Sequence, residues 1–112
     1  MKVAVIGSRS IIIKDIGRFL PPDTTEIISG GANGVDKCAA EYAVTNGIPL
    51  VEILPDYDRY GRRAPLFRNE EIVRHADTVI AFWDGKSRGT IHTAKLCKKM
   101  GVPIRIFKLR LS

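Results

Sequence analysis

The sequence contains only two cysteines, Cys38 and Cys97, among 112 residues. They lack CxxC spacing and lie in apolar segments with helical spacing, so we expect small core residues in a reducing compartment rather than a disulfide framework. The two histidines, His75 and His92, have no neighbours at metal-ligand spacing, and we expect both at the surface or in helix caps. The sequence therefore predicts neither a disulfide nor a metal site.

Long hydrophobic runs are also missing. The N-terminal apolar run Val3–Ile6 ends at Gly7, which makes it too short for a signal sequence or a membrane span. There are no repeats and no low-complexity tracts, and the length fits one domain that buries roughly 60–70% of its unfolded surface. We expect a cytoplasmic single-domain protein, residues 1–112, without membrane contact.

The C-terminal segment has no acidic residue. Residues 95–112 carry six basic side chains, whereas residues 1–94 carry 12 basic and 12 acidic ones, so the net charge of +6 comes entirely from this segment. The six cations are Lys95, Lys98, Lys99, Arg105, Lys108 and Arg110. A solvated edge that discourages aggregation is the first interpretation, and a nucleic-acid patch is the second.

Five apolar runs with high strand propensity alternate with segments of helical spacing. The strands are predicted at Lys2–Ile6, Thr25–Ser29, Ile48–Leu54, Thr78–Trp83 and Pro103–Leu109. Near-continuous apolar strands such as Val79–Trp83 are typical of a parallel sheet buried on both faces. The pattern predicts an α/β domain with helices on both faces of a five-stranded parallel sheet.

The helix predictions rest on capping residues as well as on spacing. One helix begins at the N-cap Asn33, with Asp36 at its third position, and ends before Gly47. The others are predicted at about Ile12–Leu20, Leu66–Ala76 and Thr90–Met100. The segment Ile12–Leu20 has the weakest pattern, because Gly17 interrupts it and its β-branched isoleucines also suit a strand. Pro55–Pro65 is predicted to be a long loop, a type of segment that often binds ligands.

The most specific local motif is the glycine-rich turn Ser29-Gly30-Gly31-Ala32-Asn33-Gly34-Val35-Asp36, which lies between a predicted strand and helix. Glycines let the backbone approach an anion, and the free amides of the helix start point toward it. The helix dipole supplies only about 0.3–1 kcal/mol, so phosphate affinity needs several amide hydrogen bonds. A tight structural turn is the alternative. We expect Asp36 to be structural, accepting amides of this loop.

Two more polar loops follow the first and fourth strands, namely Gly7-Ser8-Arg9-Ser10 and Gly85-Lys86-Ser87-Arg88-Gly89-Thr90. The carboxyl ends of parallel strands share one sheet edge, so all three loops are expected to meet there. The third loop is not a Walker A loop, because Ile80 stands where that motif needs glycine. A dinucleotide fingerprint is disfavoured because Glu52 lies within a strand. We therefore expect no bound cofactor, while a mononucleotide remains open.

A further polar cluster comprises Asp56–Arg63 and the pair Arg68-Asn69. Arg68, at the start of the third helix, is suited to hold a phosphate or a ribose. An aromatic ring can stack on a base, and the candidates Tyr57, Tyr60 and Trp83 are equally consistent with simple packing. No catalytic triad can be assembled, so the catalytic residues are unknown.

Taken together, these motifs resemble the SLOG superfamily, and most of all its small stand-alone YspA-type, YpsA-related group, over residues 2–107. The resemblance implies a Rossmann-like sheet of order 3-2-1-4-5 that binds a nucleotide-derived ligand. Together with the loops, it predicts these ligand-binding residues: Gly7, Ser8, Arg9, Ser29, Gly30, Gly31, Ala32, Asn33, Gly34, Asp36, Tyr57, Arg68, Asn69, Gly85, Gly89 and Thr90.

The resemblance also defines two alternatives to a nucleotide sensor or carrier module without strong catalysis. LOG-type relatives are phosphoribohydrolases whose motif ends in a catalytic glutamate, whereas this chain has Thr93 there, so Glu70 or Glu71 would have to substitute. DNA-processing protein A, a larger relative, binds single-stranded DNA. For the sensor we expect a nucleotide-like small molecule as partner and a homodimer or higher homo-oligomer. We also expect four of the C-terminal cations to lie away from the ligand edge, namely Lys98, Lys99, Lys108 and Arg110.

Overall fold

The computed structural model describes residues 1–109, so Arg110 of the predicted terminal strand lies outside the described part. Five parallel strands form one sheet in the order β3-β2-β1-β4-β5, which confirms the predicted class and strand order. The strands are β1 (Lys2–Gly7), β2 (Glu26–Ser29), β3 (Leu50–Glu52), β4 (Thr78–Trp83) and β5 (Ile104–Lys108). The helices are α1 (Val35–Thr45), α2 (Tyr57–Tyr60), α3 (Ala64–His75) and α4 (Arg88–Met100).

Both faces of the sheet are covered, because successive strand residues point to opposite sides and nearly all of those in β1 and β4 are apolar. One face packs against α1, and its buried residues include Val3, Val5, Ile27, Ile80 and Phe82. The other face packs against α3 and α4, and its buried residues include Ala4, Ile6, Ile28, Val79 and Ala81. In residues 1–109 there is no helix with the length and apolar character needed to cross a membrane.

The predicted helix Ile12–Leu20 is wrong, because this segment forms only a 3-10 turn at Ile16–Phe19. Gly17 lies against the ring of Tyr42, so this contact leaves no room for a side chain. The Ile13 amide donates to Cys38 Sγ at 3.4 Å instead of to a helical carbonyl. Cys97 is a buried core residue as expected, whereas Cys38 is half-buried.

The predicted long loop Pro55–Pro65 is also wrong, because most of it is helical. Asp56 caps α2 by accepting the Arg59 amide at 3.2 Å, and a 3-10 turn at Gly61–Arg63 leads directly into α3. Pro65 lies in the first turn of α3, where a missing N–H costs nothing. Arg68 therefore lies in the second turn of α3 rather than at its start.

Smaller differences concern element ends. The third strand is shorter than predicted, at Leu50–Glu52, because it is an edge strand with one neighbour. The N-cap of α1 is Gly34 rather than Asn33, with φ 73° and ψ −125°, so Asp36 occupies the second helical position. This backbone conformation is open to glycine and strained for other residues.

Candidate functional site

The loops after β1, β2 and β4 meet at the carboxyl edge of the sheet, where they enclose a cleft of about 530 Å³ with α3. We call this space the main cleft. Predicted site residues that line it are Gly7, Ser8, Arg9, Ala32, Asp36, Arg68, Asn69, Gly89 and Thr90. The structure thus brings together residues that are far apart in the sequence, as expected for loops at one edge of a parallel sheet.

A smaller recess of about 220 Å³, the side pocket, adjoins the main cleft. Arg9, Ala32 and Arg68 line both spaces. The other residues of the side pocket are Gly30, Gly31, Asn33, Leu54, Pro55 and Tyr57. The glycine-rich turn therefore faces the side pocket more than the main cleft.

Three predicted site residues line neither space. Ser29 is buried, and its hydroxyl donates to the Asp36 carbonyl at 3.3 Å while accepting the Gly31 amide at 3.3 Å. Gly34 packs against the backbone of Arg9, and Gly85 lies beside the Lys108 side chain. These contacts give all three residues a structural role in shaping the loops.

Hydrogen bonds connect the loops after β1 and β4. The Asp84 amide donates to Ser8 Oγ at 3.1 Å, and Asp84 Oδ1 accepts the amides of Lys86 and Ser87, each at 2.8 Å. These two backbone amides lower the pKa of Asp84. The first turn of α4, whose amides have no partner within the helix, is thereby held at the wall of the main cleft.

Arg68 is tied to the glycine-rich turn. Its Nη1 donates to the Gly30 carbonyl at 2.7 Å, and its Nε donates to Asn69 Oδ1 at 3.0 Å. Burial lowers the pKa of Arg68, although the nearby Asp36 carboxylate opposes this shift. The guanidinium is therefore held in one place between the main cleft and the side pocket.

Asp36 has the structural contact that the sequence predicted, since its Oδ2 accepts the Ala32 amide at 3.2 Å. Burial raises the pKa of Asp36, even though the Ala32 amide and the Arg68 charge lower it. The pKa of Asp36 is raised and the pKa of Arg68 is lowered for the same reason. Desolvation disfavours the charged form of each group more than the attraction between the two groups favours it.

We expect Asp36→Asn to change the pH dependence of stability. A carboxyl whose pKa is raised by folding binds its proton more tightly in the folded state, so its contribution to stability is largest at low pH. That contribution decreases as the pH rises through the folded pKa. Urea unfolding between about pH 4 and 7 should therefore show a smaller loss of stability with rising pH in Asp36→Asn than in the wild type. A steeper loss in the variant would contradict this sign.

His92 is the residue that the sequence analysis missed. It is half-buried rather than at the surface, and its Nδ1 lies 3.3 Å from Nδ2 of the buried Asn69. The contact joins α4 to α3 and, through Asn69, to Arg68. No sequence signal predicted it, because the pairing depends on how the two helices cross.

The three candidate aromatic residues differ in their surroundings. Tyr60 stacks on Phe67 with ring centroids 4.1 Å apart, and Trp83 Nε1 donates to the Ser87 carbonyl at 3.1 Å. Both rings therefore have packing roles. Tyr57 is 56% exposed and borders the side pocket, so its ring is accessible to a ligand.

The expectation that the C-terminal cations Lys98, Lys99, Lys108 and Arg110 lie away from the ligand edge is wrong for Lys108. This residue ends β5, and its ammonium lies 5.8 Å from the centroid of the Trp83 ring, beside Gly85. The last residue of a parallel strand lies at the carboxyl edge, where the ligand loops also lie. Lys98 and Lys99, in the last turn of α4, are at the opposite end of that helix from the cleft.

Glu70 and Glu71 do not line the main cleft. Both are paired with Arg74 on the exposed face of α3, where Glu70 Oε1 lies 3.0 Å from the Arg74 guanidinium. The hydrolase alternative, which needs one of them to substitute for the catalytic glutamate, is therefore not supported by their placement. Thr93 does line the main cleft, and its hydroxyl donates to the Gly89 carbonyl at 3.0 Å. Among the described residues no His, Cys, Asp and Glu side chains group as metal ligands.

The sheet order and the helices on both faces define a Rossmann-like α/β domain. Residues 1–60 match the YAcAr family, described as the YspA, cpYpsA-related SLOG family, and the chain belongs to this family. This confirms the resemblance seen in the sequence. The chain is also 33% identical over 84 residues to the Gene 61 protein of Mycobacterium phage D29, a match that covers 70% of this chain and 67% of that protein.

Two solved structures share the fold. DNA processing protein A from Streptococcus pneumoniae has a TM-score of 0.75 at 21% identity over 94% of this chain, which spans about half (49%) of that protein. DNA processing protein A from Helicobacter pylori has a TM-score of 0.76 at 25% identity over 100% of this chain and 67% of that one. The second structure was described for its single-stranded DNA binding mode.

Proposed function

We propose that this protein binds a nucleotide or nucleotide-derived phosphate ligand in the main cleft and acts as a sensor or carrier module. The observation that carries the proposal is the convergence of Arg9, Arg68 and the first turn of α4 on one space of about 530 Å³. Cationic side chains and unpaired helix amides together are the groups that recognise phosphate.

Of the two candidate positions for the phosphate, we favour the first turn of α4 over the glycine-rich turn. In the glycine-rich turn, the amides of Gly31 and Ala32 already donate to Ser29 Oγ and Asp36 Oδ2. A carboxylate beside that turn also repels a second anion. At α4, Gly89 and Thr90 line the main cleft, and Arg9 lines the same space.

Gly89→Leu is the variant that tests this placement. A Cβ at Gly89 meets only Ser87 Oγ at 3.9 Å and the residue has no positive φ, so we expect the variant to fold with nearly wild-type stability. Its side chain should fill the cleft and abolish binding of adenosine 5′-monophosphate in calorimetry, whereas Gly89→Ala should weaken binding only slightly. Undiminished binding in Gly89→Leu would exclude phosphate from this helix end.

We also expect no phosphoribohydrolase activity of ordinary strength. Thr93 has no carboxylate, and the carboxylates that line the main cleft, Asp36 and Asp84, are both engaged by backbone amides. Base release from nucleoside monophosphates, followed by chromatography, should be slower than ~1 per second, the lower end of typical enzymes. Faster turnover would establish the hydrolase alternative.

Single-stranded nucleic acid is the second candidate ligand, because the Helicobacter pylori structure that binds single-stranded DNA is similar over the whole chain. If this chain also binds single-stranded nucleic acid, log Kd should rise with the logarithm of the salt concentration, with a slope of roughly 0.7 per neutralised phosphate. Arg9→Gln should reduce that slope, while the double substitution Lys98→Gln, Lys99→Gln, which lies far from the cleft, should not.

A homodimer or higher homo-oligomer remains a prediction, and a measurement of the molecular mass in solution tests it.

A further inference from the structure

The side pocket has features that the phosphate proposal does not use. Its floor is the glycine-rich turn, and its walls carry two exposed apolar groups, Leu54 and the ring of Tyr57. Leu54 is 64% exposed, so its side chain is accessible to a ligand in the side pocket. The pocket therefore combines an aromatic ring, an aliphatic side chain and nearby cations.

We propose that the side pocket binds the nucleobase of a ligand whose phosphate occupies the main cleft. This inference rests on the proposed function and assigns a second subsite to it. The ligand is a base joined to a phosphate through a sugar, either as a free nucleotide or as one nucleotide of a single strand.

The two spaces adjoin each other, as one ligand reaching into both of them requires. Arg9, Ala32 and Arg68 line both, so a ligand crossing from one to the other passes these residues. Arg68 cannot swing freely into either space, because Gly30 and Asn69 accept its hydrogen bonds at 2.7 and 3.0 Å. A guanidinium held in this way offers a planar surface as well as a charge at the passage.

The glycine-rich turn leaves room for an apolar side chain to pack against it at the side pocket. Gly31 has φ of +72°, and a Cβ there would lie closer than 3.0 Å to Leu54 Cδ2. Because glycine has no side chain, Leu54 packs directly over the turn and forms an apolar wall. Flat apolar walls beside an exposed aromatic ring suit a base, since every base has a π face that stacks.

Tyr57 is the ring in the best position to stack. It is exposed and lines the side pocket together with Arg68. Asn33, also in the side pocket, carries an amide that can both donate to and accept from a base edge. Stacking by Tyr57 and pairing by Asn33 together form a base subsite.

The test compares ligands that differ only in the base. Adenosine 5′-monophosphate and ribose 5-phosphate are titrated by calorimetry into the wild type, Tyr57→Ala and Tyr57→Phe, with Val44→Ala as a control at an exposed apolar position on α1. We expect Tyr57→Ala to weaken adenosine 5′-monophosphate about tenfold and to leave ribose 5-phosphate unchanged. Tyr57→Phe, which keeps the ring, and Val44→Ala should bind both as the wild type does.

The outcomes separate the two proposals. Equal affinity of the wild type for the two compounds, or a loss in Tyr57→Ala that is equal for both, overturns the base subsite while the phosphate site stands. If the wild type binds neither compound nor a short oligodeoxyadenylate, both proposals fail. If it binds only the oligonucleotide and Tyr57→Ala weakens that complex, the base subsite is supported with a single strand as the source of the base.

Discussion

Gly34→Ala is expected to lower the free energy of unfolding by about 3–5 kcal/mol, because it combines backbone strain with a collision. Gly34 has φ of 73°, and a Cβ there would lie closer than 3.0 Å to backbone atoms of Ser8 and Arg9. Backbone atoms cannot move aside as the end of a flexible side chain can. Thermal unfolding should show the midpoint falling by roughly 12–20 °C, at about 4 °C per kcal/mol for a domain of this size.

Gly61→Ala is the matched control for this prediction. Gly61 has nearly the same backbone conformation, φ 58° and ψ −134°, but a Cβ there meets nothing within 4 Å. It should therefore lose only the strain component of about 1–3 kcal/mol. If the two variants are equally destabilised, the collision of the added Cβ with the loop after β1 costs nothing beyond the backbone strain.

Arg9→Gln is expected to cause a large loss of ligand affinity with little loss of stability. Arg9 is exposed and lines both the main cleft and the side pocket, so its charge faces the ligand wherever the phosphate lies. A charge-assisted hydrogen bond contributes about 1.5–3 kcal/mol, which corresponds to a loss of affinity of roughly 10- to 150-fold. Calorimetry with adenosine 5′-monophosphate and a thermal scan measure the two effects separately.

Arg105→Gln removes the same charge from an exposed position on β5 that does not line either space. It should leave the affinity within about twofold of the wild type at moderate salt, because distant exposed charges are screened. A similar loss in both variants would mean that the ligand responds to net charge rather than to the Arg9 side chain.

Local patterns in the sequence were sufficient for the elements that carry strong signals. The apolar runs Val3–Ile6 and Val79–Trp83 predicted two strands of a parallel sheet. The polar loops after the first, second and fourth predicted strands were expected to meet at one edge of that sheet. The glycine pattern of residues 29–36 predicted a specialised turn. These features depend on residue types and spacing within a few positions, which the sequence shows directly.

Other features depended on contacts between distant residues. Ile12–Leu20 has helical spacing, but the pocket beside Tyr42 accepts Gly17 only in a short 3-10 turn. The helical turns between Pro55 and Pro65 form where polar, charged residues had predicted a loop. Helix propensity contributes only about a few tenths of a kcal/mol per residue, so tertiary packing determines the secondary structure of such segments.

The sequence by itself determined the α/β class, the family resemblance and the loops that meet at the carboxyl edge, because hydrophobic periodicity and glycine motifs are local. Only the tertiary structure decided which groups in those loops are free for a ligand. It paired Asn69 with His92, bonded Arg68 to the Gly30 carbonyl and left Arg9 and Tyr57 exposed. The reason is that each polar group bonds to whatever the fold brings within about 3 Å, and that distance is set by how helices and loops pack on the sheet.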